Sequence, residues 1–260
     1  MTRAIALPRV TAKALKVWRR NFDTYRKFYL VSLIGSLGDP LLFLVAMGFG
    51  LGAFLGKIEG APYIQFIAPG LIVSSAMFSA TFECTYGSFL RMMYEKTYDA
   101  IIATPVDIED VISGDIIWGA TKALISGGIV SLVVLSLGLV KSLGFVLIPL
   151  LIFAVGFLFA SLAMLVTSLT PNFESFNYFF QLFITPMFFF SGIFFPLKEL
   201  PVLVQKIANF LPLTHAVKIS RALVVGDLSW ALLNSFALII GPGLVIFYAA
   251  IILVRKRVIK

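Results

Sequence analysis

Residues 143–169 read LGFVLIPLLIFAVGFLFASLAMLVTSL, an apolar stretch without a single charged side chain. A helix of about 20 apolar residues crosses the ~30 Å hydrocarbon core of a bilayer. Lipid offers no hydrogen-bond partner to exposed backbone N–H and C=O groups, so a segment that crosses it has to be helical. The stretch therefore predicts a transmembrane α-helix, and it sets the fold class of the chain.

The composition of the whole chain agrees with that prediction. The chain has 260 residues, of which 60% are hydrophobic and 13% are charged, and its mean hydropathy is +0.99. Soluble domains have about 45–50% apolar and about 25% charged residues. These values exclude a soluble enzyme, a disordered tail and a nucleic-acid-binding module. The chain has a single cysteine, Cys84, which excludes an intrachain disulfide. Because Cys84 lies in an apolar stretch, it is predicted to be a packing residue.

Apolar runs separated by charges and prolines predict an all-α integral membrane domain with six spans over residues 28–260. The predicted spans cover about residues 28–56, 63–90, 116–140, 143–169, 176–195 and 230–254. Late in the first span, Gly48, Gly52 and Gly56 form two overlapping GxxxG steps. Such steps let another helix approach closely, either within the chain or across a dimer.

The distribution of Lys and Arg predicts the orientation. Of the 21 basic residues, eight precede the first span and four follow the last one. Together with the connection between the second and third spans, this side of the membrane holds 14 of them. The positive-inside rule therefore places both termini in the cytoplasm, which requires an even number of spans.

The N-terminal segment, residues 1–27, is predicted to form an amphipathic helix that lies in the cytoplasmic interface. Leu15, Trp18, Phe22 and Tyr25 recur at spacings of three and four, which places them on one helical face. The alternative is a plain topology anchor. The residues assigned to the interface helix are Leu15, Trp18, Arg19, Arg20 and Phe22.

Residues 94–115 read YEKTYDAIIATPVDIEDVISGD and connect the second and third spans. Residues 94–104 are predicted to form a short helix that ends before Pro105, because the residue before proline disfavours the α conformation. Asp107 is predicted to cap the next helix, with Asp110 at its third position. Counted from the end of the second span, this connection has a net charge of −4. It is either a docking surface for a soluble partner or an ordinary solvated turn.

Three charged residues fall within predicted spans: Asp39, Glu83 and Lys122. Each lies roughly 10–20 Å from the cytoplasmic end of its helix at 1.5 Å per residue. Charges at such depth are functional candidates on a transport path. The favoured alternative is a polar clamp between helices, since two acids and one base are nearly self-neutralising. Pro40 is expected to bend the first span.

The fifth predicted span is unusually aromatic, which fits either a lining for an amphipathic substrate or bulk that faces lipid. The residues assigned to the substrate path are Phe179, Phe183, Phe190 and Phe194.

Prolines cut the following segment, residues 197–226, into pieces too short to span. Pro201 is predicted to begin a helix that ends near Phe210. Thr214 is predicted to cap a second helix that Gly226 closes, and the pair would re-enter the outer leaflet. His215, the only histidine, is expected to make a polar contact rather than to bind metal, and no metal site is predicted.

The same segment carries a family resemblance. It reads SGIFFP at residues 191–196, LP at 200–201 and PLTHAVKISR at 212–221, and with these motifs the chain resembles the membrane-spanning subunit of type-2 ABC exporters over almost its whole length. Phe190 is bulkier than the family pattern leads one to expect. The resemblance singles out Pro212, His215 and Arg221 as outer signature residues.

Within that family, residues 68–89 and 95–105 look most similar to the permeases that export nodulation lipo-chitooligosaccharides. The similarity implies export of a lipid-linked or amphiphilic oligosaccharide from a bacterium across its cytoplasmic (inner) membrane. It also implies two permease copies and two ATPase subunits, with residues 94–104 as the helix that docks on the ATPase. The implied coupling residues are Tyr94, Glu95, Lys96, Thr97, Tyr98, Asp99 and Thr104.

The chain lacks a nucleotide-binding motif of its own. A P-loop reads GxxxxGK[ST], whereas the nearest run, GAFLGKI at residues 52–58, is one residue short between the glycines and has no Ser or Thr. ATP and Mg²⁺ are therefore expected on a separate subunit, and no catalytic residue is assigned here. The alternatives are an exporter of hydrophobic drugs or antibiotics in the same family and an autonomous secondary transporter. An intramembrane enzyme is disfavoured because no convergent catalytic set is found.

Overall fold

The structure is a computed structural model that describes residues 8–29, 38, 40–58 and 60–258. Most of the described chain is helical. The helices are α1 (Ala14–Lys27), α2 (Pro40–Leu55), α3 (Tyr63–Tyr94), α4 (Thr97–Ile102), α5 (Ile108–Ser136), α6 (Leu143–Leu169), α7 (residues 175–190), α8 (Val202–Phe210), α9 (Pro212–Val225) and α10 (Ala231–Val258). Two short strands, Lys57–Ile58 and Ala61–Pro62, form an antiparallel hairpin.

Four of the helices in the described part of the chain, α3, α5, α6 and α10, are long and apolar enough to cross a membrane. They pack together through small residues, which allow the backbones to approach closely. A Cβ added at Gly156 of α6 would lie 2.5 Å from Cβ of Ala123 in α5, and one at Gly119 of α5 would lie 2.6 Å from Sγ of the buried Cys84. The core of the protein is therefore a close-packed helical bundle.

The bundle has two distinct ends. At the first, which we call the proximal end, α1, α4, the start of α5 and the end of α10 meet, since Arg255 Nη1 lies 2.7 Å from Glu109 Oε1. At the second, the distal end, the start of α3 meets α9, and Lys141 donates its backbone N–H to the carbonyl of Val224 at 2.9 Å. Helix α1 and the end of α10 thus both lie at the proximal end.

The predicted spans agree with the structure to different degrees. The spans predicted at 63–90, 143–169 and 230–254 correspond to α3, α6 and α10, which end within a few residues of the prediction. Helix α5 (Ile108–Ser136) contains most of the span predicted at 116–140, and it begins directly after Asp107, the residue predicted to precede it as its cap. Its acidic residues Glu109, Asp110 and Asp115, which were counted with the connection, are buried in the structure.

The other two predicted spans are represented by shorter helices. Of residues 28–56, the structure describes α2, a helix that contains a π-helical stretch at Ala46–Leu51. In α2, a Cβ at Gly48 would lie 2.8 Å from Cγ1 of Ile64, so this GxxxG face packs within the chain. Of residues 176–195, α7 covers 175–190, and Ser191–Phe194 continue as buried, non-helical chain.

The N-terminal helix packs on the bundle through a face beside the aromatic stripe that is predicted to lie in the membrane interface. Its buried residues are Ala14, Val17 and Asn21, whereas Leu15 is 57% exposed. Trp18 lies at the edge of the contact and donates its indole N–H to Oγ1 of Thr121 in α5 at 2.9 Å. Part of the aromatic stripe therefore faces the bundle and part faces its surroundings. A spacing of three and four places residues on one helical face, but it does not indicate which edge of that face packs on the bundle.

A glycine in α5 sets the distance between α1 and the bundle. A Cβ at Gly114 would lie 2.6 Å from both the carbonyl O of Ala14 and Cβ of Val17. We expect Gly114→Ala to force α1 away and to lower the free energy of unfolding by about 1–3 kcal/mol, the usual range for overpacking. Thermal unfolding of the purified protein in detergent measures this change.

The matched control for that substitution is Gly128→Ala in the same helix, where an added Cβ would meet no described atom within 4 Å. Alanine favours helix over glycine by about 1 kcal/mol, so the control is expected to leave stability unchanged or raised. Equal effects of the two substitutions would show that α1 does not depend on close contact at Gly114.

Candidate functional site

The proximal end contains a buried carboxylate that is shared by four helices. Asp115 of α5 is 1% exposed. It accepts hydrogen bonds from Asn21 Nδ2 of α1 at 2.6 Å, from Ser88 Oγ of α3 at 3.0 Å and from the hydroxyl of Tyr98 in α4 at 2.6 Å. Arg91 of α3 adds a charged pair, with Nη2 at 3.0 Å from Oδ2. A buried carboxylate requires such compensation, because an unpaired charge in the interior costs several kcal/mol.

The same arginine links Asp115 to a second carboxylate. Arg91 Nη1 lies 2.8 Å from Oε1 of Glu83, and Lys122 Nζ lies 2.9 Å from Oε2 of Glu83. We call the set Asp115, Arg91, Glu83 and Lys122, with its polar partners Asn21, Ser88 and Tyr98, the Asp115 network. Its two acids and two bases are formally neutral as a group.

Two members of this network were singled out from the sequence, and two were not. Glu83 and Lys122, assigned to the intramembrane charge set, form a direct ion pair, while Asp39 lies outside the described residues. Arg91 and Asp115 were counted with the connection between the second and third predicted spans. One signal for Arg91 was present: it follows Glu83 by two helical turns, with Gly87 between them. A Cβ at Gly87 would crowd Oε1 of Glu83 at 3.0 Å.

The short helix α4 is smaller than predicted. It covers Thr97–Ile102 rather than residues 94–104, because Lys96 adopts a left-handed conformation (φ 54°) that separates it from the end of α3. Among the residues assigned to coupling, Tyr98 faces inward, toward Asp115. Burial and the negative charge of Asp115 raise the pKa of Tyr98 well above its ordinary value, which keeps its hydroxyl a hydrogen-bond donor.

The remaining coupling residues lie on the outer surface of the proximal end. Thr97 is half-buried and donates its hydroxyl to Oε2 of Glu95 at 3.1 Å. The exposed members are Tyr94, Glu95, Lys96, Asp99 and Thr104. This surface, together with the exposed Asp107, is the part of the connection that a partner can reach.

Half of the acidic residues of the connection serve the interior instead. Asp110 accepts hydrogen bonds from the backbone N–H and the hydroxyl of Thr11, at 2.6 and 2.8 Å. Glu109 pairs with Arg255 and Asp115 anchors its network, so the exposed acidic surface is smaller than the composition indicated. Asp107 does precede α5, but within the described residues its side chain caps no N–H group; its carboxylate lies 4.0 Å from Lys13 Nζ.

The outer signature residues fix the distal segment to the bundle. Arg221 of α9 donates from Nη2 to the carbonyls of Phe66 and Gly192, at 3.2 and 3.0 Å, and its guanidinium lies 4.0 Å from the centre of the Phe66 ring. His215 places Nε2 at 2.9 Å from the carbonyl O of Asn209 and Nδ1 at 3.4 Å from Oγ of Ser235. These side chains hold irregular and helical segments together.

Two boundaries of this segment were predicted correctly and one was wrong. Helix α8 follows Pro201, and Gly226 ends α9 in a left-handed conformation (φ 102°). Helix α9, however, begins at Pro212, so that Thr214 is a buried residue inside the helix and not its cap. Proline fits the first turn because its missing N–H has no intrahelical partner there.

The aromatic residues assigned to a substrate path divide into two groups. Phe194 is 4% exposed and packs against Phe43 and Phe188 in the core. Phe183 and Phe190 are exposed on α7, and the half-buried Phe179 stacks on Phe183 at 5.7 Å between ring centroids. The exposed members form an aromatic surface that faces away from the bundle.

Known proteins are similar to this chain over most of its length. The profile of the family described as ABC-2 type transporter matches residues 14–225. The chain is 40% identical to Nodulation protein J of Sinorhizobium fredii over 84% of this chain and 83% of that protein. It is 38% identical to Nodulation protein J of Bradyrhizobium diazoefficiens over 94% and 93% of the two chains. The Inner membrane transport permease YadH of Escherichia coli is 23% identical over 95% and 94%.

The ion pair between Glu83 and Lys122 can be tested with a double-mutant cycle. Each single change, Glu83→Gln or Lys122→Gln, leaves a charge of the network with fewer partners, whereas the double change removes both charges. We expect the double variant to be destabilised by about 1–3 kcal/mol less than the sum of the two single variants. Thermal or denaturant unfolding in detergent gives the four values.

The control cycle uses an exposed pair at the same end of the bundle. Lys13 Nζ and Asp107 Oδ2 lie 4.0 Å apart, with side chains 42% and 70% exposed. The changes Lys13→Gln and Asp107→Asn are expected to couple by about 0–1 kcal/mol. Additive effects at Glu83 and Lys122 would mean that their contact does not stabilise the bundle.

Proposed function

The chain belongs to the ABC-2 type transporter family, and from that premise we propose that it is the membrane-spanning subunit of an ATP-driven exporter. The observation that carries the proposal is the family match over residues 14–225, together with four helices in the described residues that are apolar enough to span. ATP and Mg²⁺ are bound by a separate ATPase subunit, because the chain has no P-loop sequence. The working assembly contains two permeases and two ATPase subunits.

The Asp115 network supports a route by which the ATPase acts on the spanning helices. The exposed side of α4 and the preceding turn, with Glu95 and Asp99, offers the contact to the partner. Tyr98, on the inward side of the same helix, binds Asp115 of α5. A displacement of α4 is thereby passed to α5 and, through Arg91, to α3.

Helix α1 extends the same contact surface. Its inner side is fixed to α5 by Trp18 and Asn21. Arg19 is exposed, and Arg20 reaches Oγ1 of Thr97 from Nη2 at 3.4 Å. In this proposal α1 braces the ATPase subunit beside α4 while it lies against the membrane interface.

Six spans, with both termini in the cytoplasm, are part of the proposal. Helix α2 is about 24 Å long at 1.5 Å per residue, which is shorter than the ~30 Å hydrocarbon core. Helix α7 reaches across with residues 191–196. An even number of spans agrees with the meeting of α1 and the end of α10 at one end of the bundle. The clustering of basic residues in those segments supports a cytoplasmic location for that end.

The proposed substrate is a lipid-linked or amphiphilic oligosaccharide of the lipooligosaccharide and polysaccharide class, exported across a bacterial inner membrane. The support comes from the two Nodulation protein J relatives and from the exposed aromatic residues of α7, on which acyl chains and sugar faces can pack. A hydrophobic drug without a sugar would also suit such a surface, so the substrate test has to distinguish the two.

The first test asks whether the chain depends on a partner ATPase. We expect the purified protein alone to hydrolyse no ATP and an ATPase subunit to co-purify with it from the native host.

The charge reversals Glu95→Lys and Asp99→Lys are expected to weaken this association because both carboxylates are exposed on the docking side. The control is Glu199→Lys, an exposed acid at the distal end. Association that survives both reversals would place the docking surface elsewhere.

The second test measures transport in vesicles that contain the permease and its ATPase. We expect Tyr98→Phe to retain the ATPase but to lower ATP-dependent transport by about tenfold, because it removes a hydroxyl that donates to a buried carboxylate. Tyr248→Phe, at an exposed position of α10, is the matched control.

The same vesicles distinguish the substrate classes. Uptake of an acylated oligosaccharide, but not of the same sugar without its acyl chain or of a hydrophobic drug, would support the proposed substrate. Transport by the permease alone under an ion gradient would identify an autonomous transporter and contradict the proposed function.

A further inference from the structure

Two clefts of different character adjoin each other at the distal end. The first, of about 420 Å³, is apolar and lies between the starts of α6 and α10 and one face of α9. The second, of about 530 Å³, lies between α9, the hairpin and the chain that leads into α6. Ser229 and Leu232 line both of them, so the two clefts form one amphipathic groove.

The apolar cleft lies where lipid tails would contact the protein. Leu150 of α6 and Leu233 of α10 belong to its walls and are more than half exposed, although they belong to helices that span the membrane. Trp230, at the mouth, is 87% exposed. Tryptophan is enriched at the interface between lipid tails and head groups. The cleft therefore has the surroundings and the walls that suit an acyl chain.

The polar cleft presents two lysine ammonium groups. Lys141 and Lys218 line it and are exposed, and Lys218 Nζ also donates to Oδ1 of Asn209 at 3.1 Å. Arg221 adds positive charge, while its Nη2 donates to backbone carbonyls. Asp227 is the acid among the described residues of the lining, so positive charge predominates. Lysine ammonium groups are common ligands of phosphate.

We propose that this groove binds an anionic phospholipid of the distal leaflet, with its phosphate at Lys141 and Lys218 and one acyl chain in the apolar cleft. The argument is charge complementarity: positive charge and an acyl-sized apolar cleft meet at a shared wall, at the level where a phospholipid has its phosphate and the start of its tails. The bound lipid joins α9 to the starts of α6 and α10. The proposal goes beyond the export function and needs neither ATP nor the ATPase.

The test uses native mass spectrometry of the purified permease with added lipids. We expect phosphatidylglycerol to bind at least tenfold more tightly than phosphatidylcholine with the same acyl chains. Each lysine is expected to contribute about fivefold to the affinity for the anionic lipid, so Lys141→Gln with Lys218→Gln lowers it by about 25-fold. Asp227→Asn is expected to raise it, because the opposing charge is removed.

Two control variants separate the groove from general surface effects. Lys206→Gln, at an exposed position of α8 outside both clefts, is expected to leave the lipid preference unchanged. Leu233→Trp narrows the apolar cleft and is expected to weaken binding of both lipids, whereas Leu244→Trp, exposed farther along α10, is not. Circular dichroism and the elution volume in size-exclusion chromatography verify that each variant is folded. If Lys218→Gln is not folded, Lys218→Met replaces it.

Several outcomes would overturn the proposal. Equal binding of phosphatidylglycerol and phosphatidylcholine would reduce the site to an acyl groove without phosphate recognition. Displacement of the lipid by equimolar glycerol 3-phosphate would identify a site for free phosphate. A native preparation that carries a glycolipid rather than a phospholipid in this groove would identify a different occupant. Since all arms use the permease alone, failure here is distinct from failure of ATP-driven export.

Discussion

The buried carboxylate of Asp115 requires hydrogen-bond donors that its own helix does not supply. A charge held away from water is tolerated only when neighbouring groups compensate the loss of hydration. In this protein the compensation comes from Asn21 of α1, Ser88 and Arg91 of α3 and Tyr98 of α4. The relative positions of four helices are therefore fixed by one side chain. Removing any one donor weakens the others, because each is ordered by the same acceptor.

The distal end is held by a different kind of contact. There, side chains bind backbone carbonyls: Arg221 those of Phe66 and Gly192, Ser220 that of Pro69 and the hydroxyl of Tyr63 that of Phe194. Gly192 and Phe194 lie in non-helical chain, so their carbonyls lack helical backbone donors and side chains have to satisfy them inside a membrane. Between the two ends, the helices meet through glycine and alanine. Polar contacts thus fix both ends, while close packing fixes the middle.

Hydropathy was sufficient for the features that depend on local composition, and it failed where partners lie far apart in the chain. Helices α3, α6 and α10 follow from long apolar runs, and the left-handed end of α9 follows from Gly226. The burial of the acids at the start of α5 did not, because these acids resemble a solvated loop until Thr11, Asn21 and Arg255 are known to face them. The inward direction of Tyr98 and the buried position of Phe194 have the same cause. The spacing of Glu83, Gly87 and Arg91 could have added Arg91 to Glu83 and Lys122, which the sequence already singled out.

The neutrality of the Asp115 network bears on how motion passes through it. If α4 moved while the carboxylate stayed, Asp115 would lose the Tyr98 hydroxyl, a charged hydrogen bond of about 1.5–3 kcal/mol. If α1, α4, α5 and the end of α3 move together, every pair in the network is kept. Because two acids and two bases move as one neutral set, a change in their depth carries no net charge toward the lipid. The second course costs less, so the network favours movement of the proximal ends of these helices as a unit.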